Sequence, residues 1–242
     1  MSSLPESIMP LTRGPNGCEL TTPEGRVPIR VIMGIGLNYA QHAREQGSPL
    51  PERPVLFMKN PSAAAMDAEP IRVPKVCQDR EQVDYEGELA FVLLRSVRDV
   101  PPERALEAIG GYAAANDVSA RWWQKSGSGG QFCRGKGFDT FCPMSGFIPA
   151  SAVRDPQALR LVTRLNGTVM QDSSTADMIF SCATLVAELS RGTTLLPGTV
   201  VLTGTPQGVG MARQPQVFLR HGDTVRVEIE GVGAVTNRVE FE

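Results

Sequence analysis

Asp84, Glu86 and Glu88 stand at every second position of a segment that runs straight into Leu89-Ala90-Phe91-Val92-Leu93-Leu94. In an extended chain alternate side chains share a face, so the three carboxylates point one way while Tyr85, Leu89 and Phe91 point the other. The continuation is apolar on both faces, so the strand enters the core and takes its charges with it. Like charges this close repel, and buried carboxylates need a partner. An edge strand that uses charge against aggregation fits the alternation equally well, but not the apolar continuation. A cation at that face removes the repulsion, and carboxylate oxygens suit hard ions, Mg²⁺ before Mn²⁺ or Ca²⁺.

Short apolar runs recur along the whole chain, at 27–35, 54–59, 83–97, 111–115, 158–165, 199–203, 224–230 and 234–241. Broken by Gly and Pro and rich in β-branched residues, they read as strands. Helices are fewer. Residues 102–109 open on Pro102 and stop at Gly110-Gly111, and 177–191 place Ile179, Cys182, Val186 and Leu189 at helical spacing before Gly192. The fold class expected is α+β and β-rich, with a few peripheral helices. Residues 1–28, rich in Pro, Gly and Thr, are expected to form a short N-terminal arm with a hairpin around Pro15-Asn16-Gly17, leaving 29–242 as the main domain.

A hydrophobic share of 41% in 242 residues leaves room for a sizeable core. A net charge of −2 without a basic block argues against nucleic acid and against an anionic membrane surface. No apolar run is long enough to span a bilayer, and the first residues carry no secretory pattern, so a cytoplasmic protein is expected. Five scattered cysteines and two histidines make no zinc pattern and read as free thiols in a reducing compartment.

Four further segments carry candidate chemistry. Asp117, in Asn116-Asp117-Val118-Ser119, follows the small-residue strand and reads either as a second acidic ligand or as a turn cap. His42 and Glu45, at i and i+3 in the first turns of a helix, share a face, as a general base and its orienting carboxylate must; an ordinary surface ion pair has the same spacing. His221 reads as a turn residue. The loop 204–210, with Thr205, lacks the G-K-[ST] of a phosphate loop, but its N–H groups and the Thr205 hydroxyl suit a substrate carboxylate. Lys136 lies in a glycine-rich stretch from which an ammonium reaches a carbonyl oxygen.

Taken in order, G-x-N-Y-x-x-H-x-x-E, F-M-K-N-P-S, D-Y-E-x-E-L-A, G-Y-x-x-x-N-D-V-S-A-R, G-K-x-F-D-T-F-x-P, L-N-G-x-x-x-Q and T-G-T-P-x-G-V-G closely resemble the fumarylacetoacetate hydrolase family, from about residue 29 onward. Segment lengths are most similar to the branch called fumarylacetoacetate hydrolase domain-containing protein 2, which is linked to oxaloacetate keto–enol chemistry.

The resemblance implies a mixed, rolled β-sheet core and a homodimer. It implies Mg²⁺, with Mn²⁺ or Ca²⁺ as substitutes, on Glu86, Glu88 and Asp117, and a His42–Glu45 dyad on a lid. It places Lys136 beside the metal and Arg121, Gln124 and Thr205 on the substrate's oxygens. The substrate expected is a small 2-oxo acid or 1,3-dicarbonyl that passes through an enolate. C–C hydrolysis of an acylpyruvate-type compound, with water activated by His42, is the first reading. Keto–enol tautomerisation or decarboxylation of an oxaloacetate-like diacid is the alternative, and a non-catalytic oxo-acid-binding protein is the reading from another class. One departure stands out. Trp122 occupies the place of a common Asp, which puts the pocket wall in question. The separate N-terminal domain of longer members is not expected here.

Overall fold

The computed structural model describes residues 8–242. Its centre is a mixed six-stranded sheet in the spatial order Ile148–Pro149, Ile109–Asn116, Gly87–Leu93, Thr199–Leu202, Val31–Gly36, Val55–Lys59. Only Thr199–Leu202 and Val31–Gly36 run parallel. Against it lies a five-stranded sheet, ordered Thr168–Ser174, Arg160–Leu165, Thr224–Ile229, Gly233–Phe241, Ile71–Val73. The fold is the β-rich α+β class with mixed sheets that the sequence implies.

The strand Gly87–Leu93 is buried along its whole length, because both its faces are covered. Leu89, Phe91 and Leu93 meet the second sheet through Leu161, Val227 and Ile229, and meet the helix Cys182–Ser190 through Leu185, Val186 and Leu189. Ala90 and Val92, on the other face, pack with Ile32, Ala113, Val200 and the N-terminal residues Leu11, Cys18 and Leu20. Those N-terminal residues belong to a three-stranded antiparallel sheet, Leu11–Gly14, Gly17–Thr22 and Gly25–Pro28, whose first turn is the hairpin expected at Pro15-Asn16-Gly17. The arm of 1–28 is described only from residue 8, and its apolar side is continuous with the main core.

Two expected elements are shorter than the sequence pattern suggests. The run 83–97 divides into Val83–Asp84 and Gly87–Leu93, because Tyr85 and Glu86 leave the ladder to bond with loops: Tyr85 N–H to the Asp84 carboxylate, and Glu86 N–H to the Asn116 side chain. The helix expected over 177–191 forms only at Cys182–Ser190, capped by Ser181. Ahead of it Asn38 grips the chain, accepting from Phe180 N–H and donating to its carbonyl, while its own carbonyl accepts from Ile179 N–H. That grip outweighs helical spacing. The segment 102–109 is a 3₁₀ helix, Pro102–Ala108. All five cysteines are free, and among the described residues no helix is long and apolar enough to cross a membrane.

Candidate active site

Glu86, Glu88 and Asp117 converge at the start of the central strand. All three are buried, and one ligand oxygen from each lies within 4.8 Å of the others. The convergence follows from the backbone: Asp117 N–H donates to the Glu86 carbonyl at 2.8 Å, and Glu86 N–H donates to Asn116 Oδ1 at 3.0 Å. The two acidic segments are thus sewn together at the residues that carry the charge. Gly87, between the two glutamates, is required by close approach, since a Cβ there would stand 2.0 Å from Thr163 Oγ1.

Asp84 departs from the shared face expected of it. Its carboxylate turns to Arg121, accepting from Nε at 2.9 Å and Nη2 at 2.7 Å. Arg121 Nη1 then donates to Glu86 Oε1 at 2.6 Å and to Gln124 Oε1 at 3.0 Å. Lys136 is not on a loose loop. It ends the short helix Phe132–Lys136, where Gly135 packs against the backbone of Gln124, and its ammonium is buried. All three of its protons are used, on Glu86 Oε2 at 2.6 Å, on Asp117 Oδ2 and on Ser119 Oγ at 2.8 Å. A second buried lysine, Lys59, donates to the other Asp117 oxygen and to the Val118 carbonyl.

The charges are unevenly shared. Burial alone would push Glu86 up, but Lys136 and Arg121 beside it hold its carboxyl well below the usual range. Glu88 moves the other way: burial, then the Asp117 and Glu86 charges, push it well above its ordinary value. Its one strong polar contact is the Gly204 N–H at 2.6 Å. A carboxylate crowded by two others and lacking its own cation is the local chemistry that an oxygen-ligated divalent ion relieves, so the three residues fit such an ion.

Across a cavity of about 80 Å³ from Glu86 and Lys136 stands His42, on the helix Ala40–Glu45. Its Nδ1 lies 3.1 Å from Glu45 Oε2 and its Nε2 lies 2.9 Å from the Gln46 amide nitrogen. Burial raises Glu45, but hydrogen bonds from His42 and Gly208 N–H more than offset this and hold it below its usual value. As an ionised acceptor, Glu45 fixes the proton on Nδ1, and the lone pair of Nε2 accepts from Gln46. His42, Glu86, Arg121, Gln124, Lys136 and Thr205 all line this one cavity.

Three N–H groups of the loop 204–210 are already committed within the protein. Gly204 N–H goes to Glu88, Gly208 N–H to Glu45, and Gly210 N–H to Asp84, so the loop holds the protein's own carboxylates. The Thr205 hydroxyl is likewise committed, donating to the Gly87 carbonyl and accepting from Gln171 Nε2. Gln171 Oε1 accepts from Gly87 N–H, closing a ring that clamps the acidic strand to the loop. Gln124 is different: Arg121 engages its oxygen, so its amide N–H groups are left for the cavity. Trp122 is absent from the cavity wall. It lies beneath Arg80, whose guanidinium sits 4.2 Å from the ring centroid, and against Gly127. Trp122 therefore bears on the cavity only through its neighbours in the chain. His221 is the turn residue expected, its Nδ1 accepting from Phe241 N–H.

Gln46, Lys59 and Gln171 are site residues not singled out from the sequence. Each had a signal: i+4 from His42, an inward position in the strand Val55–Lys59, and the end of the L-N-G-x-x-x-Q motif.

The chain belongs to the fumarylacetoacetate hydrolase family: the family model described as Fumarylacetoacetate (FAA) hydrolase C-terminal matches residues 31–240. Among curated proteins it is 43% identical over 209 residues to "Oxaloacetate tautomerase fahd2, mitochondrial" of Xenopus laevis, covering 86% of this chain and 65% of that one. The chain thus spans about two thirds of the length of such relatives. Among solved structures it superposes with a TM-score of 0.80 on 5-carboxymethyl-2-hydroxymuconate delta-isomerase from Mycobacterium smegmatis, at 35% identity over 97% of this chain and 99% of that one. The fumarylacetoacetate hydrolase of Exiguobacterium antarcticum gives a TM-score of 0.82 at 31% identity, over 99% of this chain and 100% of that one.

Proposed function

We propose that this protein interconverts the keto and enol forms of a small 2-oxo acid of the oxaloacetate type, with His42 as the base and Glu86, Glu88 and Asp117 as ligands of a divalent cation. The observation that carries the reading is that a buried imidazole with an oriented lone pair lines the same cavity as Glu86, the member of the carboxylate cluster that faces it. The ion proposed is Mg²⁺, with Mn²⁺ or Ca²⁺ as substitutes, and when bound it would supply Lewis-acid stabilisation to the enolate.

The chain's own residues do the rest. His42 Nε2 takes the proton from the carbon next to the ketone once Gln46 yields it, and Glu45 stabilises the imidazolium that results. The carbon is reprotonated by the reverse transfer, or the enolate oxygen takes a proton from solvent while the His42 imidazolium gives its own back to solvent. Gln124 donates its amide N–H to a substrate oxygen. Lys136, whose three donors go to Glu86, Asp117 and Ser119, and Arg121, four of whose five N–H groups go to Asp84, Glu86 and Gln124, hold those carboxylates in place.

The names of the tautomerase and isomerase relatives support this reading over the C–C hydrolysis of an acylpyruvate that the sequence first suggested. Hydrolysis shares the enolate and keeps the support of relatives named as hydrolases. Enol-form oxaloacetate, followed by loss of its absorbance with added Mg²⁺, tests the choice. Faster decay with intact oxaloacetate recovered supports tautomerisation, while cleavage of an acylpyruvate supports hydrolysis. Decay no faster than without protein, together with an acylpyruvate left uncleaved, refutes both and leaves an oxo-acid-binding role. The free thiols suit a reducing compartment, cytosol and mitochondrial interior alike, and exposed Leu56 and Met58 on the edge strand support a homodimer.

A further inference from the structure

Three cations besides His42 reach the candidate cavity, namely Arg121, Lys125 and Lys136. Two are already spoken for. Arg121 holds Asp84 and Glu86, and Lys136 holds Glu86 and Asp117. Lys125 differs: the ion pairs of the described residues include none to it, so its charge is uncompensated. It is also exposed, whereas Glu86 and Lys136 on the same cavity are buried, which puts the ammonium at the solvent end of the pocket.

Its position is built, not incidental. Lys125 N–H donates to the Arg121 and Trp122 carbonyls at 3.2 and 3.1 Å, and its own carbonyl accepts from Gly130 N–H at 2.6 Å. The turn so formed rests on the Trp122 ring: a Cβ on Gly127 would stand 2.5 Å from it, so glycine is needed there. Arg80 stacks over the same ring, its guanidinium carbon 4.2 Å from the centroid. The tryptophan that replaces the family's acidic residue is thus the floor under the turn that presents Lys125.

We propose that Lys125 selects dicarboxylic 2-oxo acids, its ammonium receiving the carboxylate at the far end of the substrate. The inference rests on the enolisation reading above. A 2-oxo diacid seated with its ketone against the acidic cluster carries its second carboxylate toward solvent, where Lys125 offers the cavity's one uncommitted cation among the described residues. A monocarboxylate of equal length has nothing for that charge to meet.

Oxaloacetate and 2-oxobutanoate differ only in carboxylate against methyl at the far carbon, so they make the probe pair. Enzyme-dependent exchange of the C3 hydrogens for deuterium, followed by NMR with Mg²⁺ present, gives kcat/KM for each. In Lys125→Gln the preference for oxaloacetate should fall about tenfold, a modest factor because the pair is solvent-screened. The change should lie mainly in KM for oxaloacetate, with Lys125→Glu falling further and Lys125→Arg regaining most of it. A preference and an oxaloacetate KM within twofold of wild type in the folded Gln and Glu variants would overturn the inference alone. Wild-type protein that exchanges neither compound overturns the enolisation reading, and this inference with it.

Discussion

Gln46 places its amide nitrogen 2.9 Å from His42 Nε2, the one imidazole nitrogen that Glu45 leaves free. The base is therefore held in one tautomer from both sides, and substrate must displace an amide to reach it. Nitrogen NMR of the protein should show His42 protonated on Nδ1. Glu45→Gln should lower kcat for enolisation by roughly 10²-fold or more with little change in Mg²⁺ affinity. A variant with wild-type kcat, or a proton found on Nε2, contradicts the dyad as drawn.

Glu45 also supplies a pH signature. Its folded-state value lies below that of an unfolded glutamate, because the bonds from His42 and Gly208 outweigh burial. Stability from this group is then fully present above the unfolded value of about 4.3 and is lost as pH falls through the folded one. Acid unfolding monitored by circular dichroism should show Glu45→Gln losing less stability than wild type below about pH 4.3, and tracking it above. Equal losses in both proteins would mean that the hydrogen bonds do not persist in solution.

Glu88 gives the metal proposal a test with opposite signs. Crowded by Asp117 and Glu86, it should leave the metal-free protein at least as stable when changed to Gln. At a hundredfold excess over Kd, Mg²⁺ should stabilise wild type by about 2.7 kcal/mol and Glu88→Gln by almost nothing. Thermal melts with and without the ion decide it, and an equal response in the two proteins removes Glu88 from the ligand set.

Gly87 makes a packing prediction independent of chemistry. Alanine would drive a methyl onto Thr163 Oγ1, where 2.0 Å is available. The expected cost is about 1–3 kcal/mol in chemical denaturation, and the double variant Gly87→Ala with Thr163→Gly should recover part of it. No loss in the single variant would mean that the sheets approach less closely than described.

How much of this was legible in the sequence depends on the range of the forces involved. The strands announced themselves because alternation and β-branching are local. Glu86, Glu88, Asp117, His42 and Glu45 stood out because each lies within a few residues of a telling neighbour. The start of the helix did not, since Asn38, over a hundred residues away, holds 179–180 out of it. Nor did the commitments of Arg121, Lys136 and the loop 204–210. Donors that look free in a sequence are free in the fold only if no buried carboxylate claims them, and here Asp84, Glu86, Glu88 and Asp117 claim several of them. Trp122 misled for the same reason, because its neighbour Arg80 is distant in sequence.

The central claim is that His42 moves a proton at the carbon beside the ketone and leaves the carbon skeleton whole. Oxaloacetate in D₂O with Mg²⁺, watched by NMR, tests it directly. The account predicts deuterium entering C3 faster than in protein-free solution, with oxaloacetate intact and the acceleration gone in His42→Ala. Acceleration that survives in His42→Ala, or pyruvate appearing in step with the exchange, would contradict it.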